Sequence, residues 1–125
     1  MYYTLNKYYR TKKTADGYDS KFEASYAQEL EIRLKAGEIL GWEKQKVLDL
    51  VVNGYLVCTY KIDFIVYHDG YTEYVECKGV PTDTWKIKWK LFEALYTSPN
   101  NKLTIVFQGK TWRPKLRKVK NNLII

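Results

Sequence analysis

Apolar and polar positions along the chain fall into a run of short periodic segments. From Asp19-Ser20 onward, Phe22, Tyr26 and Leu30, and then Ala27, Leu30 and Leu34, recur at the spacing of a helix with one buried face. Gly37 supplies its stop. Residues 42–52 read as a strand, and the Asn53-Gly54 pair that follows is a strong hairpin signal. Residues 55–67 read as a second strand, long enough to kink, and His68-Asp69-Gly70 turns the chain again. His68 is expected to be an exposed turn residue. Residues 71–78 make a third strand, ended by Gly79-Val80-Pro81. Thr82, Asp83 and Thr84 are all good N-caps for a second helix over 85–96, with Ile87, Leu91, Ala94 and Leu95 expected to face inward. Ser98-Pro99-Asn100-Asn101 breaks that helix, and residues 103–107 are short and apolar, as a buried parallel strand is. The order α-β-β-β-α-β predicts a small α/β (α+β) domain with a mixed sheet. Residues 1–18 form a Tyr- and Lys-rich arm, 19–109 the core and 110–125 a basic tail.

Size and charge narrow the function. A chain of 125 residues has room for one core. It has no apolar run long enough for a membrane-spanning helix and no apolar leader near its N-terminus, which points to the cytoplasm and away from membranes. Twenty-one Lys and Arg against 14 Asp and Glu give +7 and a pI near 9.3. That balance suggests a polyanionic partner, nucleic acid ahead of a membrane surface. The twelve Tyr suit base stacking, and suit a β-rich core equally well. Cys58 and Cys77 sit in strand-like apolar runs and read as reduced core residues. Two Cys and one His in no metal-binding spacing exclude a zinc site, and histidine acid–base chemistry is disfavoured.

The chemistry-bearing residues are acidic. Asp63 interrupts the apolar run Ile62-Asp63-Phe64-Ile65-Val66, and Glu76 and Lys78 occupy alternate positions of Val75-Glu76-Cys77-Lys78-Gly79. On a strand, positions 76 and 78 share a face, so a carboxylate and an ammonium project side by side. A hairpin about the 68–70 turn brings Asp63 close to both. Clustered carboxylates repel and are costly to bury, and they persist when a divalent cation sits between them. Hard oxygen ligands select Mg²⁺ or Mn²⁺. The plain alternative is a surface ion pair between Glu76 and Lys78, common and weak. Glu23 has two readings. Ser20-Lys21-Phe22-Glu23 fits a capping box, and Glu23 also heads the inward series Glu23, Ala27, Leu30, Leu34, from which it can reach a metal cluster at the sheet end.

The ordered set Asp19-Ser20-Lys21-Phe22-Glu23, Tyr60-Lys61-Ile62-Asp63-Phe64 and Val75-Glu76-Cys77-Lys78-Gly79 resembles the PD-(D/E)XK nuclease superfamily, and within it short phage nuclease-like proteins and phage endonuclease I, a Holliday junction resolvase. The likeness spans roughly residues 18–107. It implies a restriction-endonuclease-like core and a metal-dependent DNA endonuclease that hydrolyses phosphodiester bonds by metal-activated water. It further implies Mg²⁺ (or Mn²⁺) held by Asp63, Glu76 and the Cys77 carbonyl, with Lys78 as the catalytic lysine and Glu23 as the N-terminal helix acid, for this metal or a second one. Ile62 stands where the usual Pro precedes the Asp. Similar nucleases carry a Gln before the Asp, which makes Gln45 an accessory candidate; a solvated strand residue is as good a reading. A phage or prophage origin in a bacterial host, a branched or nicked DNA substrate and a homodimer also rest on the resemblance. Lys86, Lys88 and Lys90 follow the site and suit phosphate contacts. So do Lys110, Arg113, Lys115, Arg117, Lys118 and Lys120 of a tail that contains no acid. The rivals are a catalytically silent nucleic-acid-binding module on the same fold, an RNA-binding protein, and a nuclease subunit dependent on a recombination or terminase partner.

Overall fold

Ser20 opens the first helix, α1 (Lys21–Lys35), by lying extended and accepting the Glu23 N–H on its Oγ at 3.1 Å. Gly37, at φ 80°, then leads the chain out of the helix. The computed structural model describes residues 20–109 and 111–119, so the 1–18 arm, Lys110 and Lys120 lie outside the described residues. The elements after α1 are β1 (Gly41–Val52), β2 (Tyr55–His68), β3 (Tyr71–Lys78), α2 (Asp83–Tyr96) and β4 (Asn101–Phe107). The strands form one sheet in the order β1-β2-β3-β4. The first two pairings are antiparallel, and β3 pairs with β4 in parallel across the α2 crossover. Asn53 and Gly54, at φ 52° and 83°, take the left-handed pair of conformations that a two-residue hairpin turn needs.

Each helix covers one face of the sheet. Ala24, Ala27 and Leu30 of α1 pack with Trp42, Phe64, Val66, Val75 and Cys77. On the other face Trp85, Trp89 and Phe92 of α2 pack with Leu50, Tyr60, Ile62, Ile65 and Ile105. This corrects the inward face expected for the second helix: Ile87 is 68% exposed, Leu95 is exposed and Leu91 only half-buried. The aromatic series recurs at helical spacing and carries more apolar area than the aliphatic one, so it takes the core. β4 is parallel as expected, yet it is the sheet edge, and among its residues only Ile105 is fully buried. His68 is also corrected. It precedes the turn, but its side chain is 11% exposed, its Nε2 lies 2.7 Å from Glu73 Oε1, and its ring stacks on Tyr71. The buried Glu73 carboxylate requires such partners.

Two irregularities position the candidate site. Tyr60 and Ile62 pack on the α2 side, whereas Phe64 and Val66 pack on the α1 side. Residues two apart on a regular strand share a face, so β2 turns over at Asp63. β1 turns over at the matching place, with Trp42 on the α1 side and Leu48 and Leu50 on the α2 side. There Gln45 has a left-handed φ of 51° and drops out of the ladder between Lys44↔Phe64 and Lys46↔Ile62. The second irregularity is a fork. β2 and β3 pair from His68↔Tyr71 to Phe64↔Val75 and then part, while β3 stays on β4 as far as Lys78↔Phe107. Beyond the fork β1 and β2 continue as a two-stranded arm whose tip exposes Val51, Tyr55, Leu56 and Val57.

Candidate active site

The fork opens where the Asp63 carboxylate takes the place of the next ladder bond. Its Oδ2 accepts the Cys77 N–H at 2.8 Å, which fixes the side chain between the parting strands. One residue earlier on β3, Glu76 points to the opposite face from Cys77, as strand alternation requires. The Tyr60 hydroxyl donates to Glu76 Oε1 at 2.6 Å, and the Trp85 indole N–H donates to the same hydroxyl oxygen at 3.0 Å. Lys78, on the Glu76 face, places Nζ 3.9 Å from Glu76 Oε2 and 4.9 Å from the Trp85 ring centre. Glu23 comes from the first turn of α1, where its backbone is capped by Ser20 while the residue as a whole is only 6% exposed. The two readings of Glu23 are therefore compatible: the backbone N–H serves the cap, and the carboxylate faces the fork. Glu23, Asp63, Glu76, Cys77 and Lys78 all line one open cleft of about 480 Å³.

Burial sets the electrostatics. It pushes the Glu76 carboxyl from 4.5 up to about 7, against the lowering effects of the Tyr60 hydroxyl and the Lys78 ammonium, and the Glu23 carboxylate adds to the rise. Asp63 adds the smallest of these effects, a lowering one. Glu76 thus holds a proton more readily than an exposed carboxyl does. Burial also raises the Cys77 thiol, with the charges of Asp63, Glu23 and Glu76 adding to it, so this free cysteine is a poor nucleophile. The Tyr60 hydroxyl is raised by burial and by Glu76, which leaves it a hydrogen-bond donor and not a base.

The residues present fit a hard divalent cation by donor chemistry. Asp63, Glu76 and Glu23 offer carboxylate oxygens, the Cys77 carbonyl offers a neutral one, and a cation there would offset the cost of burying Glu76 as a charge. Among the described residues no three His, Cys, Asp or Glu side chains already stand as a metal-holding group.

Other expected residues spread out. Lys88 lines the cleft, joined by Lys61, which was not foreseen. Lys86 faces a separate hollow with Trp112, and Lys90 is exposed. Gln45 stands opposite Asp63 by register, but it does not line the cleft, and its Nε2 is buried without a hydrogen-bond partner. Arg113, Lys115, Arg117 and Lys118 are exposed on irregular chain. Tyr60 and Trp85 were not foreseen as part of the site. The signal available was the even spacing of Tyr60 and Ile62 before Asp63, which gives no hint of a hydroxyl aimed at a glutamate on another strand. Among the described residues no helix is long and apolar enough to cross a membrane.

The family described as "Protein of unknown function (DUF1064)" matches residues 5–114 of the chain. No curated protein and no solved structure matches it.

Proposed function

We propose that this chain, which belongs to the DUF1064 family, is a metal-dependent DNA endonuclease that hydrolyses phosphodiester bonds. The observation that carries the reading is the fork, where a sheet parts to admit the Asp63 carboxylate on the Cys77 N–H, with Glu76 and Lys78 lining the same cleft. A structural ion pair needs no such opening and no third acid. When bound, Mg²⁺ or Mn²⁺ supplies neutralisation of phosphate charge and a lowered pKa for water. Asp63 and Glu76 would hold it, with the Cys77 carbonyl and Glu23 completing the donor set. Tyr60, itself held by Trp85, fixes which Glu76 oxygen faces the cleft. Lys78 stands where it can take charge developing on a phosphate oxygen, its ammonium steadied over the Trp85 ring. Lys61 and Lys88 extend positive charge along the cleft for the DNA backbone.

The restriction-endonuclease-like core, the cytoplasmic and phage-related setting, the branched-DNA preference and the homodimer belong to the same reading. The rival is a silent DNA-binding module, which the Glu76–Lys78 contact favours because it already satisfies both charges. Incubation with supercoiled, linear, single-stranded and four-way-junction DNA separates them. Cutting with Mg²⁺ or Mn²⁺ that stops in EDTA supports the enzyme; binding to all four with no cutting under either metal overturns it.

A further inference from the structure

A second hollow adjoins the cleft. It encloses about 460 Å³ between Gly79, Val80, Pro81 and Lys86 on one side and Gly109, Thr111 and Trp112 on the other. That volume lies within the range of small-molecule sites. Its walls are a flat indole, two small apolar side chains, two glycines, one threonine and one ammonium. Trp112 is half-buried, and its ring meets the Trp85 ring edge-on with centres 5.4 Å apart. Trp85 in turn lines the catalytic cleft, and Gly79 follows Lys78 directly. The hollow is therefore joined to the Asp63–Glu76–Lys78 cleft through the Trp85–Trp112 contact and the Lys78–Gly79 peptide link. Lys86 Nζ hangs over the Trp112 ring at 5.4 Å from its centre.

We infer that this hollow binds one unpaired DNA base, stacked on Trp112, beside the phosphate that is cut. The inference rests on the nuclease reading and names its substrate class as DNA with an unstacked nucleotide at the site. A base has the flat apolar faces that an indole accepts, whatever its sequence. Its 5′ or 3′ phosphate would draw the Lys86 ammonium off the ring, so that a cation now resting on the indole becomes a phosphate contact. A base inside a duplex is stacked on both sides and cannot enter. Flaps and single-stranded gaps present a base that is already unpaired, at small cost.

The test is binding, measured in EDTA by fluorescence anisotropy of labelled oligo-dT and of a labelled blunt duplex, with the full chain. Trp112→Ala removes the stacking face. Gly109→Leu intrudes on the hollow without removing the Trp112 ring. Gly109 has an ordinary φ, and a Cβ there meets its nearest atom, the Gly79 carbonyl oxygen, at 3.8 Å. Both variants should bind oligo-dT about tenfold more weakly, the size of a single base–aromatic stack. Trp112→Phe should stay near wild type, and duplex affinity should change less than about twofold in all three. Gly109→Leu keeps the test meaningful if Trp112→Ala proves poorly folded. Oligo-dT binding that is undetectable in the wild type, unchanged in Gly109→Leu, or weakened in parallel with duplex binding overturns the inference. Pocket-dependent oligo-dT binding by a protein that cuts nothing under Mg²⁺ or Mn²⁺ would sink the nuclease reading and leave the base site standing. Cutting without this dependence would do the reverse.

Discussion

Replacing Glu76 by Gln should make the metal-free protein more stable at neutral pH. The Glu76 side chain is 7% exposed, and burial lifts its carboxyl from 4.5 to about 7 even with Tyr60 and Lys78 opposing. A carboxyl whose pKa is raised on folding binds its proton more tightly folded than unfolded. Its contribution to stability is therefore whole below about pH 4.5 and is lost as pH rises to about 7. At about 1.36 kcal/mol for each tenfold difference in proton affinity, the loss is on the order of 3 kcal/mol from about pH 7 upward. Gln has no charge to desolvate and keeps an oxygen for the Tyr60 hydroxyl, so its curve lacks this slope. Urea unfolding of both proteins in EDTA, from about pH 5 to about pH 8, should show the variant gaining roughly 2–3 kcal/mol on the wild type. Saturating Mg²⁺ should then recover stability in the wild type alone. Parallel pH curves, or a wild type that gains on the variant as pH rises, would refute the reasoning.

Asp63→Asn keeps an acceptor for the Cys77 N–H and removes one of the converging charges, so its metal-free melting temperature should exceed the wild type's. Asp63→Ala leaves that buried N–H unmet and should cost about 1–3 kcal/mol by the same melts. Tyr60→Phe takes the bond that lowers the Glu76 carboxyl and strips the Trp85 indole of its acceptor. It should move the rise of cleavage with pH to higher pH, and an unmoved profile would detach Tyr60 from the site. Neutralising Arg113, Lys115, Arg117 and Lys118 together should flatten the salt dependence of DNA binding by about 0.9 in slope for each phosphate that these side chains pair with in the wild type. Sedimentation with junction DNA should show two copies on the junction, since symmetric cutting needs two sites; a monomer cutting linear and branched DNA equally would favour a simple nickase.

The sequence carried much of this because its strongest features are local. Asn53-Gly54, Asp69-Gly70 and the capping Ser20 and Thr82 mark element ends through their own backbone chemistry, and the elements begin and end within a few residues of those marks. The shared face of Glu76 and Lys78 follows from strand alternation alone, and Asp63 advertised itself as a charge in an apolar run. What escaped is either long-range or against local rule. The Tyr60–Glu76 and Tyr60–Trp85 bonds join residues 16 and 25 apart in sequence, between elements whose relative placement no periodicity encodes. The left-handed Gln45 is costly for a non-glycine residue and has no compositional sign. Helix α2 misled because it is apolar on more than one side, and burial was decided by the aromatic ring areas.

Rates of supercoiled-plasmid nicking by Asp63→Asn, Glu76→Gln and Lys78→Ala, each shown folded by circular dichroism and assayed in Mg²⁺ beside the wild type, test the fork as a catalytic centre most directly. The wild type should nick the plasmid, and each substitution should slow it by about a hundredfold or more, the scale of losing one charge-stabilising group. A wild type inactive under both Mg²⁺ and Mn²⁺, or any one variant cutting at a near-normal rate, would contradict it.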